Sequence, residues 1–432
     1  MQPLFLLKDN RRLSDRELLT ARAICDEAVE WVKDRPDYIR RHNIDPQFAL
    51  PDANWSYDAP NEFVRLFRRV AEGDRQTLSH LRGLAPVFSG YHLYQVQRSE
   101  GLIAADIELN SELDQLIAER LQERNETHVN EWQQLTYKIP RRFIFSPPPM
   151  LGEIGHELDG VIVNNDTCTY QERVNLIFGS GLADWLDRRI EATGELKICE
   201  IGGGYGALAH WFKQAYPEAS YTIIDLPESL LFSRLYLSLT RPDLRTSSGF
   251  SQAPRGIRFL PNYLAEGLTE PFDLVINTLS MSEMSEFQIR RYAELLKEHW
   301  LAEGGLFFEQ NQDNRSLGFQ CAEDIFANEF PRRLSLKVDG QGYRNGSPNI
   351  WSMSPFHLER RPCPAGCCGP VELIEDLGEF NLVRSSVFWG LRKDLGPTDP
   401  LTLEFKDEPP CIFAGTSAEA IKEKVCASAR SV

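Results

Sequence analysis

The chain has no long apolar run. Leu-Phe-Leu-Leu at positions 4–7 is the only apolar stretch near the N-terminus, and Lys8 and Asp9 end it well short of a signal-peptide core. Nothing reads as membrane-spanning, so the sequence predicts a soluble, cytoplasmic protein. Basic runs are missing too. Eight Arg-Arg pairs occur, such as Arg68-Arg69 and Arg290-Arg291, but none grows into a patch for nucleic acid or lipid, and they read as solvated helix faces. With 63 acidic against 47 basic side chains the formal charge is −16, which repels a phosphate backbone. Nucleic acid and membrane therefore drop out as first readings of a partner. A disulfide framework is also absent: the nine cysteines are odd in number, and six stand singly, as buried thiols do in a reducing compartment. Asn125-Glu126-Thr127 then carries no glycan.

What is present is ordinary globular composition, 42% hydrophobic and 25% charged, over 432 residues, enough for two or three folded units. The first unit, residues 1–145, reads as mostly helical. Ser14 and Glu17 form a capping box, Leu13 and Leu18 a hydrophobic staple, and Leu18, Ala21, Cys25, Ala28 and Val32 one apolar stripe. Pro36, Pro46, Pro51 and Pro60 break the pattern, which resumes near 61–71 and from Ser111 to Leu135. Ser146-Pro147-Pro148-Pro149 is a stiff connector and marks the boundary. Beyond it a helix is expected from about Thr169 to Arg189. Short apolar runs then alternate with helices: Leu196 to Ile201, Tyr221 to Ile224, Ile257 to Leu260, Phe272 to Ile276 and Leu306 to Phe308. That alternation predicts an α/β fold with a doubly wound, Rossmann-like parallel sheet over 146–395. Leu334 to Val338 and Ser386 to Leu391 read as late strands, and 396–432 as a C-terminal extension.

The chemistry concentrates in Leu196-Lys197-Ile198-Cys199-Glu200-Ile201-Gly202-Gly203-Gly204-Tyr205-Gly206-Ala207. A buried strand ends in a glycine-rich turn and enters a helix, whose free N–H groups and close backbone approach suit a nucleotide. Nineteen residues after Gly206, Asp225 closes the next strand, where its carboxylate can accept from both ribose hydroxyls. Gly202, Gly204 and Ala207 also satisfy the dinucleotide fingerprint, so the glycines alone leave a nicotinamide or flavin enzyme open, as well as a turn that binds nothing. Glu200 discriminates. A carboxylate at the end of an apolar strand is costly unless a cation pairs with it. S-adenosylmethionine (SAM) brings an ammonium; a dinucleotide brings phosphates.

Glu-x-Gly-x-Gly-x-Gly resembles motif I of the class I SAM-dependent methyltransferases, and the resemblance continues through Asp225, Phe272-Asp273-Leu274-Val275 and the Leu306 to Phe308 strand. It implies that Glu200, Gly202, Gly204 and Gly206 hold the methionine end of SAM and Asp225 the ribose. It implies that Asn262, after the third strand, lies against the adenine. Asn277 and Glu283, after the fourth, would lie near the methyl group. Gly152-Glu153-Ile154-Gly155-His156, Asn165-Asp166 and Tyr170-Gln171-Glu172 resemble the sugar O-methyltransferases over about residues 145–395. That implies O-methylation of a sugar or glycosylated small molecule.

A sugar hydroxyl is a poor nucleophile and benefits from a general base. The candidates are Glu283, His156 and Glu153; Glu283 has an ordinary alternative as a helix-start residue, and His156 as a structural histidine. Gly340 to Trp351 mixes turn formers with Tyr, Arg and Trp and reads as an acceptor lid or a plain hairpin. Cys363, Cys367 and Cys368 lack the second ligand doublet of a structural zinc site, and no metal is expected. Two rivals remain: an NAD(P)-dependent oxidoreductase, and a catalytically silent SAM-fold binding partner.

Overall fold

The computed structural model describes residues 13–51, 139–336 and 345–359 continuously, scattered positions between 69 and 137, and the backbone of 5–6, 372–376, 381–384 and 389–392. Most of the helices expected at 61–71 and 111–135 lies outside these residues, as do residues 340–344 of the suspected lid, the Cys363/Cys367/Cys368 cluster and residues 396–432.

A short strand, β1 (Phe5–Leu6), precedes the long helix α1 (Asp15–His42). The capping box forms: Ser14 accepts from the Glu17 N–H, and the Glu17 carboxylate accepts from the Ser14 N–H at 2.8 Å. Contrary to the sequence reading, Pro36 does not end the helix. An interior proline costs about 3 kcal/mol, but tertiary contacts bracket it. Arg35 makes a buried two-pronged pair with Glu228, at 2.8 and 3.1 Å, and Ile39 packs in one buried cluster with Ala49 and Tyr263. The helix stops at Asn43, in the left-handed region. A single turn, α2 (Pro46–Ala49), capped by Asp45, buries Phe48 and Ala49. Another, α3 (Leu81–Leu84), carries Arg82.

Past the proline connector stands a hairpin of β2 (Ile154–Leu158) and β3 (Val161–Val163), for which the sequence reading had no strands; β1 pairs antiparallel with β2. The single helix expected next is two, α4 (Asn165–Gly179) and α5 (Leu182–Thr193). They part at Gly181, whose φ of 82° disfavours any other residue.

The remaining elements alternate: β4 (Leu196–Ile201), α6 (Ala207–Ala215), β5 (Ala219–Asp225), α7 (Pro227–Thr240), β6 (Thr246–Ser248), β7 (Ile257–Pro261), β8 (Phe272–Thr278), α8 (Glu286–Leu295), β9 (Leu301–Asn311), α9 (Ala322–Glu329), β10 (Arg332–Ser335) and β11 (Ser347–Ser352). They build one eight-stranded sheet in the order β10-β11-β9-β8-β4-β5-β7-β6. Pairings from β6 to β9 are parallel, and β11 runs antiparallel between β9 and β10. Helices cover both faces, which is why β7 and β8 are buried at every position. Ile198 of β4 packs on one face, Cys199 and Ile201 on the other. Leu13, Ile24 and Ala28 share the first cluster with Leu230 and Leu237 of α7, so the N-terminal segment has a common core with the sheet. Three further strands, β12 (Glu372–Asp376), β13 (Asn381–Arg384) and β14 (Trp389–Arg392), form a small antiparallel sheet. No helix among the described residues is long and apolar enough to cross a membrane.

Candidate active site

Strand order reverses at β4: the chain first builds outward through β5 and β7, then returns to add β8 on the other side. Crevices at such a point, outside the carboxyl ends of the strands, are where open sheets bind ligands. A cavity of about 370 Å³ lies there. Glu200, Gly202, Gly203, Gly204, Asp225, Asn262 and Glu283 all line it. Gly202 has a φ of 73°, and a side chain there would run into Ser280, so only glycine lets the turn approach a ligand.

Two acids face this cavity at a cost. Glu200 is 2% exposed, and burial raises its pKa to about 7 despite a 2.9 Å hydrogen bond from the Tyr221 hydroxyl. Burial likewise raises Asp225 to about 7, against hydrogen bonds from the N–H groups of Leu226 (2.7 Å) and Gly204 (3.2 Å). Each Asp225 oxygen takes one backbone donor and keeps a lone pair for another. Asn262 donates to the Ala49 carbonyl at 3.1 Å, while its own Oδ1 is buried without a partner, an acceptor that an adenine amino group would satisfy. Gln288 donates to the Leu50 carbonyl at 3.2 Å, and Pro51 joins the cavity wall. The N-terminal segment thus forms part of the pocket.

On the opposite wall, the sequence reading quoted Asn165, Asp166 and Tyr170 only as part of a family resemblance and left Thr169 and Arg173 out. Asp166, Thr169, Tyr170 and Arg173 recur at helical period on α4 and turn one polar stripe into the cavity, joined by Asn165, Gln312 and Asn345. That spacing was the available signal. Asp166 accepts from Arg82 at 2.9 Å, and burial still raises its pKa to about 6. Glu283 ends a short turn that follows Leu279, a non-glycine residue at φ 66°, a strained conformation of the kind found at functional turns. Hydrogen bonds from Leu279 N–H to the Gln310 carbonyl and from Ser282 N–H to the Leu279 carbonyl, both 2.9 Å, hold it.

Three expected site residues stand elsewhere. His156 is buried in β2 opposite Val163 and is outside the cavity lining. Asn277 is fully buried and braces the turn from beneath, donating to the Ile201 carbonyl at 2.8 Å and to Ser280 Oγ, and accepting from Asn311 at 2.9 Å. Gly206 begins α6, and its bare backbone packs on Leu237, which a Cβ would approach to 2.8 Å. Glu153, the third candidate base, is also off the cavity, paired with Arg82 at 2.6 Å. His128, Glu131 and Cys168 bring potential metal-ligating atoms within 4.8 Å of one another, away from the cavity lining.

Residues 184–249 match the family model of the O-methyltransferase domain, a stretch that holds Glu200, the glycine turn and Asp225. The match covers that stretch of the sheet domain alone. SAM suits a pocket where a buried carboxylate needs a cation and several acids would repel a pyrophosphate. Among solved structures the chain is similar to a probable spermidine synthase from Corynebacterium glutamicum (22% identity, 43% of this chain and 65% of that one, TM-score 0.31). It is similar also to the mitomycin 7-O-methyltransferase MmcR (15%, 41% and 53%, 0.27) and to the N-methyltransferase NodS of Bradyrhizobium japonicum (17%, 52% and 97%, 0.28). The chain thus spans less than two thirds of the length of the first solved structures it matches. No curated protein matches it.

Proposed function

We propose that the chain transfers the methyl group of SAM to a hydroxyl of a sugar or glycosylated small molecule. The observation that carries this reading is the α4 wall: Asn165, Asp166, Thr169, Tyr170 and Arg173, with Glu283, Gln312 and Asn345, offer hydrogen-bonding groups in the density a polyol needs. Asn345 Nδ2 is buried there without a partner, a donor waiting for an acceptor oxygen.

SAM supplies an electrophilic methyl group on a sulfonium. Glu200 would pair with the ammonium of its methionine end, Asp225 would accept from the ribose hydroxyls, and Asn262 would hold the adenine. The α4 groups orient the acceptor hydroxyl for in-line attack in a walled cavity. Glu283 would take up the proton of the acceptor hydroxyl as the methyl group is transferred. Of the three bases considered from sequence, Glu283 alone lines the cavity.

Transfer of labelled methyl from SAM to a pool of glycosides, compared with a pool of non-glycosylated phenols, tests the reading. Label should enter the glycosides; label confined to the phenols would refute the sugar assignment.

A further inference from the structure

Glu309, on β9, is fully buried, and the donors it meets are neutral. Asn349 Nδ2 at 2.7 Å and Trp351 Nε1 at 3.3 Å donate to one carboxylate oxygen, and Asn311 Nδ2 at 2.9 Å donates to the other. Burial still raises its pKa to about 7 against those bonds. A carboxylate so placed is costly, and Glu309 is not part of the cavity lining.

What the charge secures is a direction. An ionised carboxylate only accepts, so Asn311 must turn its Nδ2 toward Glu309, and its Oδ1 then faces the other way. There Oδ1 accepts from the Ser282 N–H at 3.2 Å and from the Ser282 hydroxyl at 3.3 Å. Ser282 is clasped further by the Gln312 N–H on its hydroxyl at 2.8 Å and by Asn314 Nδ2 on its carbonyl at 3.2 Å. Glu283 follows directly, on the turn that Leu279 enters at a φ of 66°. With Asn311 turned over, its amide N–H groups would meet the Ser282 N–H, donor against donor, and a strained turn would lose its hold.

Resting on the methyl-transfer reading, we propose that Glu309 is a positioning residue: through the Asn311 amide it holds the turn that aims Glu283 at the acceptor hydroxyl. A glutamine in its place could donate as well as accept, and would leave Asn311 free to turn. Because Glu309 stands off the cavity, its effect on rate passes through Glu283.

Kinetics at pH 8, where the Glu309 carboxyl is ionised, test this. The acceptor is the glycoside that wild type labels best from SAM. Glu309→Gln keeps the size and removes the charge, and it should lower kcat roughly 10- to 100-fold, the scale of a misplacement near 1 Å. KM for the glycoside should hold, as should the calorimetric affinity for S-adenosylhomocysteine. The deciding step repeats the substitution in Glu283→Gln, where kcat should change by less than about 2-fold because the group being aimed is gone. An equal loss in both backgrounds, or a fall in S-adenosylhomocysteine affinity beside kcat, would make Glu309 structural, and an unchanged kcat in Glu309→Gln would make it idle; each overturns the proposal. If Glu309→Gln fails to fold, Ser282→Ala, which removes the hydroxyl from the Asn311 contact, carries the same pair of comparisons. Wild type that transfers no methyl to any glycoside would instead remove the reading beneath the proposal, before any variant is compared.

Discussion

Glu200 and Asp225 carry their charge where burial opposes it, and ligand binding depends on that opposition. With pKa values raised to about 7, each holds a proton more tightly in the folded chain than unfolded, where carboxylates titrate near 4. The folded state binds more protons between those values, so their contribution to stability is present below about pH 4 and is lost as pH rises through 7. Thermal melts of the unliganded protein should therefore show stability falling from pH 5 to pH 8 by this contribution. SAM affinity should run the other way, rising over pH 6 to 8 as Glu200 ionises to meet the ammonium. A flat affinity profile in calorimetry would take Glu200 out of the pairing. Asp225→Ala should weaken SAM binding by ~1–3 kcal/mol with the fold retained. Glu283→Gln should lower turnover by ~10²–10⁴-fold while SAM affinity holds, and undiminished turnover would leave alignment alone to account for the rate.

At the scale of elements, the sequence was legible where one local rule governs. The capping box at Ser14, the apolar run of β4, the glycine turn and the acid at the end of β5 each stand where period and spacing put them. It was illegible where distant residues decide. Pro36 sits inside α1 because Glu228, far along the chain, grips Arg35. The polar face of α4 follows helical period, yet only the folded sheet shows that it meets a cavity. His156 looked chemical because histidine is scarce, but pairing in the β2–β3 hairpin places it away from the pocket. The single turn α2 is the least expected part of the site. Phe48 lies 5.0 Å from the Tyr292 ring, and Tyr292 lines the cavity. Phe48→Ala should cost ~3–5 kcal/mol of stability by chemical denaturation, in line with large aromatic deletions, and should also weaken SAM binding at temperatures where the fold survives. Unchanged affinity would mean the wall is not part of the cofactor site.

On the scale of the whole molecule, the proline connector led the sequence reading to set residues 1–145 apart as a unit of their own. The contacts bind the parts together: α1 packs on α7, Arg35 grips the first turn of that helix, the Ala49 carbonyl accepts from Asn262 of the pocket wall, and Pro51 lines the pocket. A chain lacking residues 1–145 should therefore lose SAM affinity as well as acceptor turnover; retention of full affinity would show that the N-terminal segment is no part of the cofactor site. The account's central claim is that the cavity at the strand-order reversal takes SAM. The most direct measurement is the shift in melting temperature of the full chain with SAM, S-adenosylhomocysteine, NAD and NADP, since a ligand that binds only the folded state raises apparent stability by mass action. The account predicts a rise with both adenosyl compounds and none with the dinucleotides. A rise with NAD or NADP, and none with SAM, would contradict it.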